Sequence, residues 1–310
     1  MQQEGLVLKA LGQVYNVLTD KGELQCTLKG TMRTKDISTT NPVVVGDHVL
    51  ISTSSTEDNV ITEVKQRKNY IIRQSKKLSK QYQIIASNID EVFILVTISH
   101  PKTHNTFVDR ILTTAEAYGI NACLIFNKAD IYNEEERAEV EERMDIYDTL
   151  GYNCISVSLL NDKDEPALQK LCKNKVTLLC GMSGTGKSTL INLLIPGLNR
   201  KIGAISDAHQ KGIHTTTFSE MLPLPAGGFL IDTPGIQEFG IADITKYELS
   251  QYFREMNHFR ANCKFNSCMH INEPGCAVIK AVEEGEIALS RYESYLSIFH
   301  NEASEERRYK

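Results

Sequence analysis

The segment Gly181-Met182-Ser183-Gly184-Thr185-Gly186-Lys187-Ser188 has the spacing GxxxxGK[ST]. The apolar run Val176–Cys180 precedes it, and Thr189-Leu190-Ile191-Asn192-Leu193-Leu194 follows, so it reads as strand, glycine-rich turn and helix. Glycines at these places let successive backbone N–H groups face a phosphate chain, and a helix N-terminus adds partial positive charge. In that frame Lys187 reaches the β- and γ-phosphates, Ser188 ligates Mg²⁺, and residues Gly181 through Thr189 line the nucleotide. The alternative, a Gly/Ser turn without chemistry, is disfavoured by the flanking strand and helix. Leu230-Ile231-Asp232-Thr233-Pro234-Gly235 is an apolar strand ending in D-x-x-G. Asp232 there is expected to hold Mg²⁺ through water, and the Gly235 N–H to sense a γ-phosphate. Between the two lies Lys211-Gly212-Ile213-His214-Thr215-Thr216-Thr217. One of its threonines is expected on Mg²⁺ and the γ-phosphate; Thr216 is the candidate among the three. A threonine run is also an ordinary β-rich segment.

Asn127-Lys128-Ala129-Asp130 follows the apolar run Ala122–Phe126. N-K-x-D suits guanine: the Asp carboxylate accepts from N1–H and N2–H₂, which adenine cannot supply, and the Lys stem packs on the purine. Taken alone, NKAD could be a helix cap. Ser158, in Ser156-Val157-Ser158-Leu159, stands where a short S-A-x segment supports the base, although a plain strand end has the same look. Ile236 follows DTPG and cannot hydrogen-bond water, so His214 is the candidate for orienting an attacking water; a His that merely packs in its loop is the other reading. These motifs run in an unusual order. The base-selecting pair comes first, then the phosphate loop, the threonine segment and D-x-x-G. A circular permutation explains this if strands 122–126 and 153–157 share one sheet with the phosphate-loop strand.

Cys263-x4-Cys268-x-His270-x5-Cys276 offers three thiolates and one imidazole, a tetrahedral set for structural Zn²⁺ with no position left for a catalytic water. Free thiols with a surface His are the alternative. Cys26, Cys123, Cys154, Cys172 and Cys180 stand singly in mostly apolar surroundings and read as small buried hydrophobes.

The elements that must position these groups fall into three parts. Residues 1–70 give five short strand-like runs, with Asp20-Lys21-Gly22 as a hairpin and Val45–Val49 as a turn into a strand. Five strands in so short a stretch suit a small closed all-β barrel such as an OB-fold, with an SH3-like barrel or a generic β-module as the alternatives. Residues 71–243 alternate buried strands with helices, a doubly wound α/β P-loop domain. Residues 244–310 are helical and polar, interrupted by the Cys/His cluster.

The chain has 310 residues and a net charge of -5, which argues against a protein that coats nucleic acid over its whole surface. The stretch from Lys65 to Lys80 nonetheless holds seven Lys/Arg and no Asp/Glu, a local basic face that could meet RNA. No apolar run approaches the ~20 residues of a membrane span, and the N-terminus lacks the pattern of a secretory signal, so the expected location is cytoplasmic.

GMSGTGKSTLIN, GIHTTT, IDTPGIQEFGI and CKFNSCMHINEPGCAV together resemble the circularly permuted, ribosome small-subunit-dependent GTPase A family of bacteria, over nearly the whole chain. Thr185 where Val is common, Leu159 in the base-support segment, and DTPG where DSPG is frequent are departures that leave the resemblance intact. The resemblance implies hydrolysis of GTP to GDP and phosphate, one structural Zn²⁺ on Cys263, Cys268, His270 and Cys276, and Mg²⁺ carried with GTP. It further implies the 30S ribosomal subunit as partner, 16S rRNA contacted by barrel and tail, and a role in late small-subunit maturation; a monomer is the expected state. A P-loop kinase or ATPase is the rival reading that NKAD opposes. A non-catalytic RNA-binding scaffold is the other, and failure of 30S subunits to raise turnover would favour it.

Overall fold

The structure is a computed structural model that describes residues 2–29, 41–53, 59–74, 82–198, 200, 219–232 and 244–308. Alternating apolar and polar residues build the first part. The strands are β1 (Gln2–Leu11), β2 (Val14–Thr19), β3 (Gly22–Leu28), β4 (His48–Thr53) and β5 (Asn59–Val64). Their inward positions, Val7, Tyr15, Val17, Cys26, Val49, Ile51 and Ile61, form one buried cluster. β1–β2, β2–β3, β5–β4 and β4–β1 pair antiparallel and β3–β5 pair parallel, so the ring closes. That circuit is the five-stranded OB-like barrel. The Val45–Val49 turn is held by buried Asp47. Its carboxylate accepts from the Val44 N–H at 2.9 Å, from the Ser87 hydroxyl at 2.6 Å and from both forks of Arg67 at 2.7 Å.

A hairpin of β6 (Tyr70–Gln74) and β7 (Tyr82–Ser87) forms a separate two-stranded sheet. The sequence reading does not name it, because the basic residues around it mask a strand pattern. Next come β8 (Glu91–Val96), α1 (Asn105–Ala117), β9 (Asn121–Phe126), α2 (Glu134–Thr149), β10 (Asn153–Ser156), α3 (Glu165–Cys172), β11 (Val176–Gly181), α4 (Lys187–Leu194), β12 (Glu220–Pro223) and β13 (Phe229–Asp232). In space the strands run β10-β9-β8-β11-β13-β12, all parallel except β12. Val92, Ile94 and Val96 of β8 face α1 and α2 with Val108, Ile111 and Tyr147, while Phe93 and Leu95 face α3 and α4 with Leu168, Leu190 and Leu194. The sheet is thus doubly wound. The 122–126 and 153–157 strands do share it with the phosphate-loop strand, and β8 lies between them and β11.

β12 also pairs with β1 at Lys9 and Glu220, which joins barrel and α/β sheet edge to edge. The tail carries α5 (Arg254–Phe259), α6 (Ala277–Glu283) and α7 (Leu289–Arg308) around Phe253, Met256, Val278, Tyr295 and Ile298. It docks on α1. Arg291, 2% exposed, pairs with Asp109 and donates to Glu255 at 2.7 Å, and Arg254 donates to Glu116 at 2.8 Å. Cys26, Cys123, Cys172 and Cys180 are buried and Cys154 half-buried. Burial pushes the Cys26 and Cys172 thiols up to about 11, which keeps them neutral and inert.

Candidate nucleotide and metal sites

The phosphate loop leaves β11 where that strand is fully buried and re-enters regular structure at Lys187, the first residue of α4. Gly184 and Gly186 adopt φ of 84° and 107°, open to glycine. A Cβ on Gly186 would stand 2.3 Å from Asn127 Nδ2, and one on Gly184 would stand 3.2 Å from Pro101 Cδ. Two other loops therefore approach these glycines. Thr185 is buried and its hydroxyl donates to the Met182 carbonyl at 2.8 Å. Lys187 Nζ donates to the Gly181 and Met182 carbonyls at 2.7 Å each, so the ammonium closes the loop mouth. Burial pulls its pKa below the ordinary value, and the charge of Asp232 works in the opposite direction.

Asn127, 4% exposed, is the joint between the motifs. Its Nδ2 donates to the Thr185 carbonyl at 2.8 Å, and its Oδ1 accepts the Leu159 N–H at 3.1 Å. One amide therefore ties the phosphate loop to the 158–159 segment. Tyr132 Oη donates to the Asn127 carbonyl at 2.5 Å and accepts from Ile98 N–H at 3.0 Å. Lys128 sits at φ 74° with its Nζ on the His100 carbonyl. Ser158 Oγ donates to Asp130 Oδ1 at 2.6 Å, and the Ser158 N–H is held by Asp164 at 2.9 Å. Asp130 is exposed, with its carboxylate oriented by that hydroxyl. Ala129 N–H donates to Val157 O at 3.1 Å, completing the pairing of the two loops. The loop from Thr97 to His104, which meets Lys128 and Gly184, was not picked out by sequence reasoning; it carries no recognisable spacing. Tyr132 was missed for the same reason.

Asp232 ends β13 in register with Leu179 of β11. Its side chain is 15% exposed and pairs with Arg200, which also donates to Glu220 at 2.7 Å. Burial raises the Asp232 pKa, while Arg200 and then Lys187 oppose that rise. Half-buried Ser188 is the second residue of α4. A hydroxyl and a carboxylate are hard oxygen donors of the kind Mg²⁺ takes, and a carboxylate already paired with a guanidinium suits a site that receives positive charge. Thr189 follows in the same half-buried first turn. Thr233, Pro234, Gly235 and Ile236, and the Lys211–Thr217 segment with His214 and Thr216, lie outside the described residues.

In the tail, the ligand atoms of Cys263, Cys268, His270 and Cys276 all lie within 4.8 Å of one another. His270 Nδ1 is 3.4 Å from Cys276 Sγ and 3.6 Å from Cys263 Sγ, and the two sulfurs are 3.9 Å apart. A tetrahedral ion with Zn–S about 2.3 Å and Zn–N about 2.0 Å spaces its ligand atoms about 3.5–3.8 Å apart, so this cluster could hold a metal such as zinc. Glu273 arranges the loop by accepting the N–H groups of Met269 and Ile271 at 2.9 Å. The Tyr292 and Tyr295 hydroxyls hold the His270 and Met269 carbonyls. Burial first, then the neighbouring thiols, pushes Cys268 up to about 12, the penalty a bound cation would reverse.

The basic run is less open than its composition suggests. Lys65 pairs with Glu4, Arg67 with buried Asp47, and Lys68 with Asp90 at 2.9 Å. Residues 75–80 lie outside the described residues.

Comparison with known proteins adds whole-chain likeness to this geometry. The RsgA N-terminal domain model matches residues 4–61 and the RsgA GTPase model matches residues 64–242. A protein of Bacteroides fragilis named small ribosomal subunit biogenesis GTPase RsgA is 48% identical over 308 residues, 99% of each chain. One of Phocaeicola vulgatus with the same name is 47% identical over the same span. The crystal structure of YjeQ from Thermotoga maritima superposes with a TM-score of 0.79 at 31% identity, covering 98% of this chain and 99% of that one. YloQ, described as a circularly permuted GTPase, gives a TM-score of 0.73 at 25% identity, over 98% of this chain and 96% of its own. With the permuted motif order now seen as one sheet and one joined site, the chain belongs to the RsgA GTPase family.

Proposed function

We propose that this protein hydrolyses GTP to GDP and phosphate as a Mg²⁺-dependent switch in late maturation of the small ribosomal subunit. The observation that carries the reading is the Asn127 amide, which spans from the phosphate loop to the Ser158–Leu159 segment and so makes one pocket of motifs that are far apart in the chain. Asp130, oriented by Ser158, accepts from the guanine N1–H and N2–H₂; Lys128 packs its stem on the purine. The loop Gly181-Met182-Ser183-Gly184-Thr185-Gly186 turns backbone N–H groups toward the phosphates, and Lys187 leaves its carbonyl partners for the β- and γ-phosphates. Ser188, Thr216 and Asp232 would hold Mg²⁺, which neutralises charge developing on the phosphate oxygens. Gly235 senses the γ-phosphate, and His214 orients the attacking water.

Cys263, Cys268, His270 and Cys276 hold one structural zinc, which fixes the loop between α5 and α6. The working units are residues 1–70, 71–243 and 244–310, with barrel and tail meeting 16S rRNA on the 30S subunit. The protein works as a monomer in the cytoplasm; no helix among the described residues is long and apolar enough to cross a membrane. The test is GTP turnover with and without purified 30S subunits. Stimulation of the order of 10³-fold or more, typical when a partner completes a GTPase site, is expected. Equal turnover in both conditions refutes the ribosomal role, and ATP displacing labelled GTP at equal concentration refutes the guanine site.

A further inference from the structure

Four charges of alternating sign run from the barrel to the candidate magnesium site. Lys9 of β1 pairs with Glu220 of β12, Glu220 with Arg200, and Arg200 with Asp232 at the end of β13. The Arg200 and Glu220 side chains are 20% exposed, and Asp232 is more enclosed still. Arg200 is also fixed from behind. Its N–H donates to Asn192 Oδ1 and its carbonyl accepts from Asn192 Nδ2, both at 2.9 Å. Asn192 belongs to α4, the helix that begins at Lys187. The phosphate-loop helix thus sets the base of the arginine, while β12 and β13 set its head. No motif of the sequence points to Arg200.

We propose that Arg200 is a positioning residue that serves as a stand-in cation, occupying the Asp232 carboxylate until Mg²⁺ arrives and then withdrawing onto Glu220. This rests on the reading of Asp232 as a magnesium ligand. A carboxylate enclosed to 15% exposure needs positive charge beside it, and Arg200 supplies it. Mg²⁺ requires a compact octahedral shell of oxygens and keeps several waters. A guanidinium bonded to the same carboxylate blocks that shell and repels the ion. The second carboxylate makes the exchange feasible, because Arg200 that leaves Asp232 still has Glu220 and no buried charge is orphaned. Lys9 draws Glu220 toward the barrel and so moderates its hold on Arg200.

The consequence is that divalent affinity follows the balance of the chain, with opposite signs at neighbouring positions. The experiment is Mn²⁺ titration of the GDP-loaded full chain, read by electron paramagnetic resonance. Arg200→Gln should bind Mn²⁺ about fivefold more tightly, the equivalent of roughly 1 kcal/mol of lost competition for partly exposed charges. Glu220→Gln leaves Arg200 with Asp232 alone and should weaken Mn²⁺ about threefold. Asn192→Ala, which keeps every charge but frees the backbone of Arg200, should tighten Mn²⁺ and keeps the idea testable if Arg200→Gln does not fold. Weaker or unchanged Mn²⁺ binding in Arg200→Gln, or in Asn192→Ala where Arg200→Gln does not fold, overturns the proposal, as does tighter binding in Glu220→Gln. Asp232→Asn separates the two levels. If it leaves Mn²⁺ affinity unchanged, Asp232 is not a ligand and the site reading fails. If it weakens Mn²⁺ while Arg200→Gln does not tighten it, only the stand-in role fails.

Discussion

Asn127→Ala tests whether the permuted motifs act as one site. The side chain is 4% exposed and makes two hydrogen bonds, to Thr185 O and from Leu159 N–H. Both partners are backbone groups of buried residues, so truncation leaves one acceptor and one donor without their mates. Each costs about 1–3 kcal/mol, giving about 2–6 kcal/mol in all if both stay buried. The amide also fills the space beside Gly186 that a Cβ could not enter, so its loss leaves a gap there. Urea unfolding of the full chain measures the first effect, and calorimetric titration with GDP and with pyrophosphate measures the second. GDP and pyrophosphate should both bind more weakly, because the phosphate loop loses its brace even though Asn127 lies in the base motif. A variant within 0.5 kcal/mol of the parent, or one that loses guanine preference but keeps its pyrophosphate affinity, would refute the coupling.

Asp130→Asn should weaken GTP by roughly 3 kcal/mol, two hydrogen bonds to a charged group, and favour xanthine nucleotide, whose C2 carbonyl accepts from the new amide; unchanged GTP affinity in a competition assay rules out the role of Asp130. Purified protein should contain about one zinc per chain by atomic absorption, and Cys268→Ser should lower that content and open the tail to protease; a zinc-free yet protease-resistant tail ends the zinc reading. His214→Ala should leave GTP binding near normal and remove most of the 30S-stimulated rate. Full stimulation in that variant would pass the water-orienting role to a ribosomal group or a backbone carbonyl.

What could be read from the sequence was whatever depends on local spacing. The phosphate loop, NKAD and the Cys/His cluster each need particular residue types at fixed offsets; the structure sets the phosphate loop between β11 and α4, joins it to NKAD through Asn127, and gathers the four Cys/His ligand atoms within 4.8 Å. Ser158 was the harder case. Leu159 spoils its motif, and a strand end looks the same in sequence. The hydroxyl on Asp130 at 2.6 Å is a tertiary contact across 28 positions, with no local trace. Arg67 shows the reverse error. It belongs to a basic run that reads as an RNA-facing surface, yet its guanidinium is spent on Asp47, 20 positions back, inside the joint between the barrel and the β6–β7 hairpin. Composition records charge but not the partner that neutralises it. Arg291 was invisible for the same reason, since the Asp109 it meets lies 182 positions away.

The permutation has a mechanical consequence that a conventional motif order would not give. In this chain the strand ending at Asp232 leads through residues 233–243 directly into the tail, so the D-x-x-G segment is also the covalent link to the part that carries the Cys/His cluster. The barrel attaches at the other side of the same region, through β1 on β12, the antiparallel neighbour of β13. The tail's body lies on the other flank, where Arg254 donates to Glu116 of α1 and to the Leu150 carbonyl beyond α2 and stacks over Tyr152 ahead of β10. The tail is in turn anchored on α1 by Arg291 and Asp109, a buried pair whose disruption typically costs about 3–5 kcal/mol. A partner that gripped barrel and tail together would therefore reach both flanks of the sheet, the barrel through β1 on β12 and the tail through α1.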